Sequence, residues 1–357
     1  MADSTKGTKN THFSDLNETR MGYILNGNKW TGSLSAAQAT HDLKNSLTSG
    51  FSESEKTRAI GQAEAMASAF KTWAQSKGYA GIIDVHWTAR SGFSFTDIDS
   101  RWEEVSKNHP ADLLIEFSRG PSPKSPSGNF LGVSMKAIKK KTGEAPVKNP
   151  GVKKIAKFSG LNENHFSNII QEGVKNISAK GVTKGKTLLV KDEVKKIMEK
   201  ISSTNVDDAI EKAKAEYIQR EKVRCLSKCR DDLLNGFKTK GDGDVMLYIL
   251  SDLLDTDKIP RYVKVTGRGG ANSNWTASVD DPVSNTKFLA LMNDTLKFTY
   301  ETAGGDTGFS FGVKKGDKRI IRIRFKFESA PFASALKMSI EPWTGTEKAK
   351  EVIVLNE

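Results

Sequence analysis

Two short apolar runs joined by a proline-rich stretch constrain this chain of 357 residues more than any other feature. Residues 111–117 read ADLLIEF and residues 129–138 read NFLGVSMKAI, both with the composition of strands. Between them, SRGPSPKSPSG carries three prolines and two glycines, which only a loop accommodates. The simplest arrangement is an antiparallel hairpin with a long tip. With the tip near residues 123–124, facing residues have numbers summing to about 246–248. An even sum sets Asp112 opposite Ser134 or Lys136. Strand alternation then gathers 112, 114 and 116 on one face with 132, 134 and 136, so Asp112 meets Lys136 and Glu116 lies further along.

A carboxylate and an amine on adjacent strands can bind a hard cation and hold a water beside it. Mg²⁺ keeps several waters and takes one or two carboxylates plus phosphate oxygens, which is the equipment of metal-assisted phosphodiester hydrolysis. At these residues the sequence resembles the PD-(D/E)XK nuclease superfamily, which includes many type II restriction endonucleases and phage nucleases. The Pro-Asp-like element is Pro110-Ala111-Asp112, and the acid-X-lysine element of the next strand is Ser134-Met135-Lys136. The stretch HPADLLIEF…FLGVSMKA is similar to viral and phage members, and the resemblance spans roughly residues 13–140.

The resemblance implies a mixed α/β core with a mixed sheet flanked by helices, acting on double-stranded DNA with Mg²⁺, for which Mn²⁺ could substitute. It implies that Asp112 and the Met135 carbonyl hold the metal and that Lys136 orients the water or neutralises charge on the phosphate. One position departs from the pattern: Ser134 stands where the family has a carboxylate. Glu18, in LNETRMGY, matches the acid such nucleases place on a preceding helix. Glu116, Asp97 and Asp99 are the other acids that could fill the gap. The expected activity is sequence-specific, restriction-like cleavage. The alternatives are a less specific viral or phage repair or degradative nuclease, and a non-catalytic DNA-binding protein on a degenerate nuclease fold. Restriction enzymes often act as dimers, so a homodimer is a further expectation, although no residue pattern marks an interface.

Charge supports a polyanionic partner. The net charge is +12, yet residues 1–135 balance with 14 basic and 14 acidic side chains, whereas residues 136–240 hold 25 basic and 13 acidic. The excess begins with Lys136 and the run Lys139, Lys140 and Lys141. Farther on, RIIRIRFKFES alternates Arg322, Arg324 and Lys326 against Ile321, Ile323, Phe325 and Phe327. Arginine is a rigid bidentate donor suited to phosphates and base edges, and Arg268 and Asn272 in the loop GRGGANSN are of base-reading type.

The remaining organisation reads as a helix at 13–25, a second at 53–77, and a strand at 81–89. Helical patterns follow over 162–255, including KDEVKKIMEKI and one long stretch that starts at VDDAIEK, with strand-like alternation from Ile259. This gives three expected segments: a nuclease-like core (1–160), a basic helical section (161–257) and a β-rich, DNA-contacting C-terminal region (258–357). His86 beside Trp87 reads as a half-buried strand histidine, GDGD at 241–244 as a turn, and Cys225 with Cys229 as reduced helix residues. No run approaches the roughly 18 apolar residues of a membrane span, and no apolar leader opens the chain, so a soluble cytoplasmic protein, of viral or phage origin on the resemblance, is expected. No GxxxxGK[ST] loop is present, which argues against an ATP-driven translocase.

Overall fold

The computed structural model describes residues 9–90, 92–102, 109–121, 126–141, 152–179, 182–183, 186–187, 206–250, 258–272, 274–281, 290, 293, 295–305, 308–316, 318–327 and 336–342. The class is mixed α/β. The described residues divide into two compact units, one drawn from Met1–Ala145 and Leu250–Asp294, the other from Pro146–Ile249 and Thr295–Val352.

The first unit is built on a sheet of five strands in the order β1 (Ala80–Trp87), β2 (Leu113–Arg119), β3 (Phe130–Ile138), β6 (Tyr262–Arg268) and β7 (Thr276–Asp280). Two further strands, β4 (Val182–Thr183) and β5 (Lys186–Thr187), pair only with each other. Strands β1, β2 and β3 form an antiparallel meander, β6 runs parallel to β3, and β7 returns antiparallel to β6. Leu113 faces Val133 and Ile115 faces Leu131, so cross-strand numbers sum to 246, within the expected register. Val85, Trp87, Leu113, Ile115, Phe117, Leu131, Val133, Met135, Val263 and Val265 join one core cluster.

Helices α1 (Lys9–Leu25) and α3 (Glu53–Ser76) cover that face, with the short α2 (Gln38–Ser46) between them. Ala59, Ala63, Met66, Ala67, Phe70 and Ala74 recur along α3 at three-, four- and one-residue steps, and the four alanines let the helix lie close to its neighbours while Met66 and Phe70 fill the core. Full burial of a side chain such as Phe70 contributes about 1.5–3 kcal/mol. At the far end of β3, the buried Gln62 donates to the carbonyls of Ile138 and Gly269, both at 2.8 Å, and so ties β3 to β6.

The units do not follow the three consecutive segments expected from sequence. Strands β6 and β7, assigned there to the C-terminal region, complete the first sheet, because β3 needs a partner and Val263 and Val265 supply the apolar face that α3 buries. The second unit combines helices α4 (Val152–Phe158), α5 (His165–Ala179), α6 (Val206–Thr239) and α7 (Asp242–Tyr248) with an antiparallel sheet. That sheet has the order β11 (Leu336–Pro342), β10 (Lys318–Phe327), β9 (Gly308–Lys315) and β8 (Phe298–Gly305). Cys225, Leu226, Cys229, Leu233 and Phe237 make the buried stripe of α6. Phe158 stacks on Tyr248 at 3.9 Å between ring centres. KDEVKKIMEKI lies outside the described residues. Among the described residues, no helix is long and apolar enough to cross a membrane.

Gly61 sits in the middle of α3, where glycine costs about 1 kcal/mol relative to alanine. A Cβ there would lie 2.3 Å from the Trp275 ring, whose indole N–H donates to the Gly270 carbonyl at 2.9 Å. Gly61→Ala should therefore destabilise the protein by roughly 1–3 kcal/mol despite its better helix propensity. In a Trp275→Ala background the same change should stabilise it. Urea unfolding of the four proteins checks both signs.

Candidate active site

The N-terminal end of β2, the C-terminal end of β1 and the outer half of β3 meet beside α1. Asp112 precedes β2 and is locked to β3 twice: its amide donates to the Val133 carbonyl at 2.8 Å, and its Oδ2 accepts the Met135 amide at 2.6 Å. Met135 thus enters the site through its amide, while its side chain is buried in the core. Lys136 follows on β3, half-buried. Glu18 comes from α1, one turn before Met21, and is 8 % exposed. Its Oε2 accepts the Trp87 indole N–H at 2.9 Å.

These groups feel one another. Burial, and then the Asp112 carboxylate, push the Glu18 carboxyl well above the usual carboxylate range, against the pull of Trp87 and Lys136. Burial also raises Asp112, while Lys136 and the Met135 amide oppose the rise. The helix acid, the strand acid and the lysine are therefore one electrostatic cluster, with two carboxylates and one ammonium. Among the described residues no three His, Cys, Asp or Glu side chains gather into a metal cage made by protein alone.

The other sequence candidates fall elsewhere. Glu116 is not brought to Asp112: four residues along a strand is about 13 Å. It faces Asp84 of β1 instead, and burial, then Asp84, raise its carboxyl. Asp84 itself accepts from the Ser33 hydroxyl at 2.6 Å. Asp99 is clasped by Arg101 at 2.5 Å, and Asp97 is exposed. Ser134 stands in register with Lys264, whose ammonium takes its counter-charge from the buried Asp280 at 3.3 Å.

Of the expected DNA-contacting residues, Lys140 and Lys141 are exposed just beyond β3. Lys139 pairs with Glu55 at 3.2 Å, where Lys9 at 3.0 Å and Arg58 at 2.6 Å also converge. Burial opposes ionisation of Glu55, yet Arg58, Lys9 and Lys139 together hold its carboxyl down to about 2. Arg268 departs from the expectation of an exposed base reader. It is 8 % exposed inside β6 and donates to the Ser278 hydroxyl at 2.7 Å, because its position in the sheet turns it over β7 rather than to solvent. Asn272 is exposed in the turn after β6. Arg322 is half-buried and Arg324 exposed on β10; the Lys326 side chain lies outside the described residues.

His86 packs half-buried near Phe93 and Phe130, and burial lowers its pKa. Cys225 and Cys229 are free and buried, with burial pushing their thiols up to about 11 and about 12, so they are unreactive at neutral pH. GDGD is not the turn expected from sequence: Gly241 caps α7, and Asp242 and Asp244 lie in its first turn, where carboxylates suit the helix N-terminus. No family model, curated protein or solved structure matches this chain.

Two residues of the site were not singled out from sequence. Trp87 holds Glu18; its inward position in the alternation of β1 was the available signal. His109 fixes the turn into Pro110-Ala111-Asp112. Its Nε2 contacts the Pro260 carbonyl at 2.5 Å and its Nδ1 contacts the Ala111 amide at 3.1 Å. A carbonyl only accepts and an amide only donates, so the ring is neutral with its proton on Nε2. A Cβ on Gly132 would come within 2.9 Å of the Ala111 and Tyr262 Cβ atoms and 3.0 Å of His109 Cε1, so only glycine admits this packing.

Burial lowers His109 to about 4, against an ordinary 6.5. Between these values the unfolded chain binds a proton that the folded protein refuses. The stability contributed by neutral His109 is thus fully present above pH 6.5 and is lost as pH falls toward 4. His109→Gln should lower stability at pH 7 and flatten its decline over this window, read from unfolding free energies at several pH values.

Proposed function

We propose that this chain is a Mg²⁺-dependent endonuclease that hydrolyses phosphodiester bonds of double-stranded DNA at specific sequences, in the manner of a type II restriction enzyme. The observation that carries the reading is the convergence of Glu18, Asp112 and Lys136 on one electrostatic cluster, with Glu18 buried and the other two half-buried. Glu18 arrives from a helix separate from the hairpin, so local chain geometry does not force the meeting. It also supplies the second carboxylate that Ser134 withholds.

The residues fit a hard dication. Burial raises both carboxyls, and Asp112 raises Glu18 further; a divalent charge beside them would oppose that rise. Mg²⁺ asks for one or two carboxylates, not a complete cage, and leaves its other positions to water and phosphate oxygens. Asp112 and Glu18 would hold it, with the Met135 carbonyl as the further oxygen expected from the motif. Bound there, the cation supplies Lewis-acid stabilisation of the phosphate and a more acidic water.

The chain's own groups do the rest. Lys136 provides a fixed positive charge beside the two acids, where it stabilises negative charge building on the scissile phosphate. The Met135 amide and the His109-bound turn hold Asp112 in place, and the Trp87 indole fixes one Glu18 oxygen. Preorganised donors of this kind do not have to reorient during the reaction.

Incubation with phage DNA and Mg²⁺ tests the reading: discrete bands are expected. A smear would replace specific with nonspecific cleavage, and intact, retarded DNA would leave a binding protein. Cleavage should require Mg²⁺ or Mn²⁺ and stop in excess EDTA. Lys136→Ala should lower turnover roughly a hundredfold or more while changing DNA affinity only a few-fold. Glu18→Gln should abolish cutting, whereas Glu116→Gln should leave it intact. Normal cleavage by the Lys136 variant would remove the active site from this cluster.

A further inference from the structure

The second unit carries a feature that the cleavage chemistry does not use. On β10, Ile323 is fully buried, as is Val313 on the neighbouring β9, whereas Arg322 is half-buried and Arg324 exposed. One face of this sheet is therefore core and the other polar.

The register defines what flanks the arginines. Arg322 lies between Gly312 of β9 and Glu341 of β11, and Arg324 between Ser310 and Ser339. The next rung of the same parity sets Lys326 between Gly308 and Lys337. Glycine weakens a strand, and its recurrence there often marks close approach of a ligand or another backbone. One acid answers part of the charge of this sheet, since Glu301 pairs with Lys314. Arg324 has only serines across from it on both sides.

We propose that the polar face of the β8–β11 sheet docks the phosphate backbone of duplex DNA, gripped without regard to sequence by a ridge centred on Arg324. Residues two apart on a strand are about 6.6–6.8 Å apart, twice the 3.4 Å axial spacing of charges along one DNA strand. Arginine binds phosphate oxygens bidentately. The neighbouring rungs are glycine, serine, lysine and glutamate, without an aromatic ring on which an unpaired base could stack, which favours a duplex over a single strand.

The experiment is anisotropy of a short labelled duplex of arbitrary sequence with the full-length protein in EDTA, where binding is read apart from cleavage. Arg324→Glu should weaken binding by about tenfold and lower the salt dependence by about one unit of slope per lost contact. Arg324→Lys should keep most of the affinity, and Lys77→Glu, an exposed charge reversal in the first unit, should change it little. Matching melting curves for the variants exclude a folding defect; if Arg324→Glu does not fold, Arg324→Gln serves with a smaller expected loss. The proposal is overturned if Arg324→Glu or its substitute behaves as Lys77→Glu does. It is also overturned if a single strand of the same sequence binds as tightly as the duplex. Duplex binding through Arg324 in a protein that never cuts would retain this surface and reject the nuclease, whereas cutting with an indifferent Arg324 would do the reverse.

Discussion

The alignment of Leu113 with Val133 in the β2–β3 hairpin is the constraint on which the first unit depends. Side chains alternate strictly along a strand, so a slip of one residue turns a whole strand over. Leu131, Val133 and Met135 would leave the core that α1 and α3 cover, and Lys136 would turn toward those helices. The same slip would part Asp112 from the Met135 amide that now binds it. Core and candidate site are therefore fixed by one register. The hydrophobic penalty of the wrong alignment also keeps the Met135 amide on Asp112.

Burial has a different consequence for the charged groups. Placing Glu18 and Asp112 together out of water penalises both ionised forms, and Lys136 compensates only in part. Glu18 sits among apolar neighbours, with Leu16 and Met21 fully buried, and the Trp87 indole is its hydrogen-bond donor. Glu55 provides the contrast. It too is shielded, but Arg58, Lys9 and Lys139 converge on it and its carboxyl stays ionised into acid solution. One acid is held by surplus cations and acts as a structural clasp. Glu18 and Asp112 have Lys136 as their shared cation, and both carboxyls are raised rather than lowered.

Local pattern made part of this legible. The hairpin could be read because its proline-rich tip and its two apolar runs are contiguous, and turn chemistry with alternation sets their pairing. Glu18 could be named only through the resemblance, because no spacing rule connects an α1 residue with a strand nearly a hundred positions away. Glu116 misled for a physical reason: sharing a face with Asp112 does not mean sharing a location on it. Arg268 misled because its loop-like glycines disguise the end of a buried strand. The parallel partner of β3 lay beyond reach altogether, since β6 joins it across a connection that holds much of the second unit.

His109 shows how such distant segments come to bear on the site. Its ring takes one hydrogen bond from the turn before Asp112 and gives the other to Pro260, just before β6 begins. Gly132 on β3 leaves the space in which this contact is made. Three segments far apart in sequence are thus joined by one neutral imidazole whose two nitrogens are both engaged. Glycine lowers strand propensity at 132, and nothing local to residue 109 marks its histidine as a partner of Pro260. Together they form a brace, and the brace sets where the Asp112 carboxylate stands.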